Sequence, residues 1–129
     1  MKKLTPILIM MCFAATSVSQ TQPASCTKFH RGKFSYITPS KEVVTLSRTS
    51  KKQTEKNETT GVVTVWRVKW LSDCSYELSQ KWSSDKLQRK KYGMKSTIII
   101  TGVTSHSYEY SCVCAGQQKT ETNTMRVLN

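Results

Sequence analysis

The chain has 129 residues, 20 of them lysine or arginine and 8 aspartate or glutamate, for a formal charge of +12. This length makes one domain the expectation, and the scattered positive charge fits either a soluble basic surface with no dedicated partner or weak, salt-sensitive attraction to polyanions. With five glycines and neither a G-x-x-x-x-G-K-S/T nor a G-x-S-x-G run, the sequence excludes phosphate-loop and nucleophile-elbow chemistry.

Residues 1–19 read as a signal peptide. Lys2 and Lys3 form a positive n-region, Ile7 to Ala15 a short apolar run, and Ser17-Val18-Ser19 the small residues a signal peptidase reads, with Gln20 as the mature start. The apolar run falls short of the roughly 20 residues a membrane span needs. A lipid anchor needs a small residue before a cysteine at the end of that run. Met11 precedes Cys12 instead, and Cys26 lies beyond the run after Pro23-Ala24-Ser25, so lipidation is not expected. The expectation is an exported protein, periplasmic or extracellular and not transmembrane. Residues 20–25 read as a flexible leader, and 26–129 as a single domain.

Within that domain, Gly32 separates Phe29 from Phe34, and Phe34 alternates with Tyr36. This gives a turn at Arg31-Gly32 and a first strand near 33–38, ended by Pro39. Residues 42–49 are rich in β-branched side chains and read as a second strand. Residues 50–60 read as a polar third strand with a turn at Asn57 to Gly61. The strongest signal is 62–71, where Trp66, Val68 and Trp70 share one face and Arg67 and Lys69 the other, the period of a half-buried antiparallel strand. Ser72-Asp73-Cys74-Ser75 makes a turn. The return strand sets Tyr76, Leu78 and Trp82 on one face and Glu77, Ser79 and Lys81 on the other. Residues 83–93 read as a polar, basic loop ending in Gly93. Residues 94–104 form a sixth strand with a bulge or bend at Gly102, and 107–114 a seventh with Tyr108, Tyr110, Cys112 and Cys114 on one face. Ala115-Gly116-Gln117-Gln118 turns the chain into an eighth strand, 119–128.

No mature segment shows a helical stripe, and every connection is hairpin-like. The fold class is therefore all-β: an antiparallel up-and-down meander of seven or eight strands, curled into a small lipocalin-like barrel or half-barrel.

Four cysteines remain after export: Cys26, Cys74, Cys112 and Cys114. They allow three fully paired arrangements. The favoured one joins Cys26 to Cys74, tying the mature N-terminus to the central bend and closing a long loop worth roughly 3–4 kcal/mol on chain-entropy grounds. Cys112 and Cys114 could bond each other only under strain, pair with the other two, or stay thiols. One C-x-C, two distant cysteines and histidines at 30 and 106 do not make a zinc set, so no metal or other cofactor is expected.

The pieces "CTKFHRGKFSY" (26–36), "LSRTSKKQTE" (46–55) and "VKWLSDCSYEL" (68–78) resemble a family of small exported Bacteroidota proteins of unknown function. Its pattern is C-x-x-F-x-x-G-x-F, then R-x-x-x-x-Q-x-E, then W-L-x-x-C-x-Y-x-L. The resemblance covers about the first half of the mature chain. It implies Cys26 and Cys74 as a matched pair and says nothing of Cys112 and Cys114.

Catalytic groups are few. Cys112 or Cys114 with His106 is the enzyme reading, but six to eight residues of extended strand put the histidine roughly 20–27 Å away. The chain reads as non-enzymatic. Trp66, Trp70, Tyr76, Tyr108 and Tyr110 are the candidate ligand-facing residues if the barrel holds an apolar cavity, and a packed core if it does not. If the second and third strands form a hairpin near 50–52, Arg48 faces Gln53 or Glu55, either as a polar recognition site or as a cross-strand pair stabilising the sheet. Lys86, Arg89, Lys90, Lys91 and Lys95 are the candidate polyanion contacts. The expected partner is a small apolar ligand or an envelope protein, with weak polyanion binding as the alternative.

Overall fold

In the computed structural model, which describes residues 25–114 and 120–129, the alternation around Trp66 closes into a barrel. The expected signal peptide, residues 20–24 of the leader and the turn at 115–118 lie outside the described residues. A single 3-10 turn, Thr27–Phe29, precedes β1 (Gly32–Ile37), β2 (Val43–Arg48), β3 (Lys52–Asn57), β4 (Val63–Ser72) and β5 (Ser75–Ser83). A short helix, α1 (Lys86–Arg89), then leads to β6 (Lys95–Val103), β7 (Ser107–Val113) and β8 (Thr120–Val127). Each strand pairs antiparallel with the next, and β1 pairs with β8, so the expected meander is a closed barrel of eight strands. The β1–β8 seam is short, with Phe34 opposite Val127 and Ser35 opposite Arg126.

The inward positions form the core. Phe34, Leu46, Val68, Tyr76, Leu78, Ile98, Ile100, Tyr108, Tyr110, Cys112 and Met125 are buried in one cluster. Arg67 and Lys69 of β4 point outward, beside inward Trp66, Val68 and Trp70. Among the described residues, no helix is long and apolar enough to cross a membrane.

Besides a register shift at Trp70/Ser72 beside the β4–β5 turn, two bulges shape the wall. Between β6 and β7 the register shifts at Ile100/Gly102, the expected place for a bend. The other corrects the expected face of β5. Val65 pairs with Trp82 but Trp66 pairs with Gln80, so Lys81 is an extra residue on β5. One inserted residue reverses the alternation beyond it. Gln80 and Ser83 are buried, while Trp82 is 46% exposed, packed under Arg89 on the outside rather than inside with Tyr76 and Leu78. The expected loop at 83–93 also needs correction. Asp85 accepts a hydrogen bond from the Leu87 amide at 2.9 Å and caps α1, a helix of four residues that is too short to produce a sequence stripe.

The two ends of the barrel differ. At one, the Cys26–Cys74 disulfide joins the segment before β1 to the β4–β5 turn, with Cα atoms 5.2 Å apart. It seats Phe29 as a plug against Tyr108, ring centroids 4.9 Å apart. His30 stacks on Trp70 and hydrogen-bonds the Asp73 carbonyl at 2.8 Å. This end is closed and forms the floor. The opposite end is bordered by the β1–β2 turn, the β3–β4 turn, the α1 region and the end of β7. There Cys112 and Cys114 are bonded to each other, which resolves the pairing left open by the sequence.

Candidate functional site

Arg48 organises the floor. It ends β2 and lies opposite Gln53 at the start of β3, as a hairpin turn near 50–52 requires. The side chain is buried, at 3% exposure, and its guanidinium makes four hydrogen bonds. Nε donates to Gln53 Oε1 at 2.8 Å, one terminal nitrogen donates to the Phe29 carbonyl at 3.0 Å, and the other donates to the Tyr76 and Tyr108 hydroxyls at 3.0 and 3.1 Å. Those two hydroxyls are 2.9 Å apart. The guanidinium also lies over the rings of Phe34 and Tyr76, 4.8 and 4.7 Å from their centroids. A buried charge survives only with such partners. Burial works against the charge, but the Tyr76 and Tyr108 hydroxyls outweigh it, and the guanidinium pKa is raised.

Gln53 links this floor to a carboxyl group above it. Its amide accepts from Arg48 and donates to Glu55 Oε1 at 2.7 Å. The Tyr36 hydroxyl donates to Glu55 Oε2 at 3.4 Å. The Trp66 indole lies close enough to favour the ionised carboxylate, yet its N–H makes no hydrogen bond of regular geometry and is buried without a partner. Burial raises the Glu55 pKa, against the opposing pull of Gln53, Trp66, Arg48 and Tyr36. Burial likewise pushes the Tyr36, Tyr76 and Tyr110 hydroxyls well above the ordinary phenol range.

Above the floor, the barrel encloses a cavity of about 300 Å³. Its apolar walls come from Leu78, Ile98 and Met125, its rings from Tyr36, Trp66, Tyr76 and Tyr110, and its polar groups include Gln53, Glu55 and Gln80. The lining runs up to Pro39, Gln88 and Lys91 at the open end. Gln80 Nε2 donates to the Gln88 carbonyl, tying the α1 turn to the wall beneath it.

Of the five aromatics expected to face a ligand, Trp66, Tyr76 and Tyr110 line this cavity. Trp70 and Tyr108 do not. They belong to the floor, Trp70 against His30 and Tyr108 against Phe29 and Arg48. Of the expected polar trio, Gln53 and Glu55 line the cavity, and Arg48 is sealed beneath it. The five basic candidates are all exposed. Arg89 donates to the Ser83 and Ser84 carbonyls, Lys95 pairs with Glu77 at 3.6 Å, and Lys91 stands at the cavity mouth. Cys112 and Cys114 share a disulfide at the mouth end, and a bonded sulfur is no nucleophile; His106 lies in the β6–β7 turn at the floor end.

Sequence reasoning passed over Tyr36, Gln80 and Glu121 as site residues. Tyr36 was legible, because it alternates with Phe34 on the same strand. Glu121 shares its strand face with Asn123 and Met125, but a polar strand such as TETNT carries no apolar stripe to say which face is inside. Comparison with known protein families, curated proteins and solved structures finds no match to the chain.

Proposed function

We propose that the protein is an exported, non-enzymatic binding protein that takes one small, largely apolar ligand into the barrel. The observation that carries this reading is the cavity of about 300 Å³ above the Arg48 floor. Its volume lies at the lower end of the range for small-molecule sites, and its makeup, mostly apolar and aromatic with a few placed polar groups, is what such sites use. The floor supports the reading further. Arg48, Gln53, Tyr76 and Tyr108 satisfy one another, so they form a rigid base rather than a polar interior that water must fill. Two disulfides suit a compartment that tolerates them.

Thermal shift against a panel of compact lipophilic molecules tests this. A ligand at ten times its Kd adds about 1.4 kcal/mol, a rise of several degrees for a domain this size. The half-buried Thr64 lines the cavity, and Thr64→Trp fills it from the β4 wall. That variant should stay folded and lose the response. Ligands that shift both proteins equally would place binding elsewhere.

A second reading, weak attachment to polyanions, is favoured by the exposed Leu87 and Tyr92 standing among Lys86, Lys90 and Lys91 at the α1 turn. Retention on heparin that falls steeply with salt and is reduced by combining Lys86→Ala with Lys90→Ala would support it.

A further inference from the structure

We infer that the cavity selects ligands bearing an alkylammonium group, seated against the Glu55 carboxylate and ringed by Tyr36, Trp66 and Tyr110; this rests on the cavity-binding reading above.

Three independent observations converge. The first is the carboxyl itself. Glu55 lines the cavity wall with one oxygen fixed by Gln53 and the other by Tyr36, so its position is set before any ligand arrives. Its nearest cation, Arg48, does not touch it. The Gln53 amide stands between them, and the guanidinium spends its donors on Gln53, Phe29, Tyr76 and Tyr108. The carboxylate therefore faces an apolar space with its own charge only partly offset, which is the reason burial wins and its pKa is raised.

The second is the set of rings. Tyr36, Trp66, Tyr76 and Tyr110 all line the same cavity as Glu55. Aromatic faces attract an ammonium through their quadrupoles, and they do so most strongly away from water. A carboxylate inside an aromatic wall is the arrangement that recognises organic cations; an anion or a neutral chain gains nothing from it.

The third is the distribution of charge. The protein has 20 basic and 8 acidic residues. Yet Glu42, Glu55, Asp85 and Glu121, half of all its acids, line the cavity or the cleft that continues from it at the mouth. Among the described residues lining these two spaces, Lys91 is the one lysine or arginine. The outer surface repels cations in general, and the mouth reverses that sign locally, a focusing field for a positively charged ligand.

The site also dictates a pH signature. Facing Glu55 are Tyr36 from β1, Arg48 from β2 by way of Gln53, Tyr76 from β5, Tyr110 from β7 and Glu121 from β8; β4 and β6 contribute Trp66 and Ile98, which do not titrate. The tyrosines named here are held neutral and Arg48 charged across the neutral range. That leaves Glu55 as the group whose ionisation a pH profile reads. Affinity for an amine should rise as pH rises and Glu55 ionises, while affinity for a neutral ligand of the same shape should not.

The test uses three probes with one aromatic body: phenethylamine, 2-phenylethanol and phenylacetate, titrated calorimetrically into the full mature protein. The expected result is at least tenfold tighter binding of phenethylamine than of the alcohol, with phenylacetate weakest. Glu55→Gln should erase the preference for the amine while retaining the alcohol. If that variant folds poorly, the wild-type pH profile carries the test: amine affinity climbing as pH rises above the ordinary carboxylate range, with the alcohol unchanged. Equal or tighter binding of the alcohol, or a flat amine profile, would overturn the ammonium assignment and leave the cavity reading standing. Failure of all three to bind would overturn both.

Discussion

Replacing Arg48 with alanine probes the floor most severely. The substitution deletes four hydrogen bonds and four cation–ring contacts, the closest with Phe34 and Tyr76, in one step. Tyr76 and Tyr108 keep each other as partners, 2.9 Å apart. Gln53 Oε1 and the Phe29 carbonyl lose their donor in a place water reaches poorly, and each such orphan costs about 1–3 kcal/mol. The lost contacts with the Phe34 and Tyr76 faces add about 0.5–2 kcal/mol. The total is about 2.5–8 kcal/mol, a large share of the 5–15 kcal/mol that holds a typical domain together. Urea unfolding followed by tryptophan fluorescence, disulfides intact, should show a midpoint falling accordingly with little change in slope. Arg48→Lys keeps the charge but loses the fork, so it should fall between wild type and alanine. Arg67→Ala, on the outward face of β4, should stay within about 0.5 kcal/mol. A loss below about 1 kcal/mol for Arg48→Ala would refute the view that this guanidinium holds the floor.

Other consequences follow from the same geometry. Opening Cys26–Cys74 with paired serines releases a span of 48 residues and should cost about 4 kcal/mol, whereas opening Cys112–Cys114, a span of 2, should cost about 1–2 kcal/mol by denaturant titration. Glu55 has a folded pKa above its unfolded value, so its stabilising contribution is full below the unfolded pKa of about 4.5 and is lost as pH rises through the folded one. Glu55→Gln should therefore be at least as stable as wild type at pH 7 and lose that advantage below pH 4.5, measured by unfolding across pH. Trp82→Ala should cost no more than about 1 kcal/mol, and iodide should quench Trp82 well before Trp66 or Trp70. An inward Trp82 would cost about 3–5 kcal/mol when truncated.

Much of the architecture is legible in local chemistry. The alternation at 62–71 has one apolar side, so its buried face is unambiguous, and a hairpin turn near 50–52 is enough to set Arg48 against Gln53. Where the sequence misleads, the cause is an event without a compositional mark. Lys81 is an ordinary residue for an outward strand position, yet it is the inserted one, and the shift it causes moves Trp82 outside. α1 is four residues closed by Asp85, too brief for any periodicity. Trp70 and Tyr108 share faces with cavity residues, as expected, but a strand face says nothing about height along the barrel. Height separates the floor from the space above it, and it depends on closure between β1 and β8, the longest-range pairing in the chain.

The chain's three tryptophans report on three places: Trp66 in the cavity, Trp70 in the floor and Trp82 outside. Their indole N–H signals in a nitrogen–proton correlation spectrum, followed while phenethylamine or 2-phenylethanol is added, test the cavity directly. Occupation of the barrel predicts a large, saturable shift of Trp66, a smaller one of Trp70, and none of Trp82. A shift confined to Trp82, or three signals that stay fixed for both probes, would contradict the account.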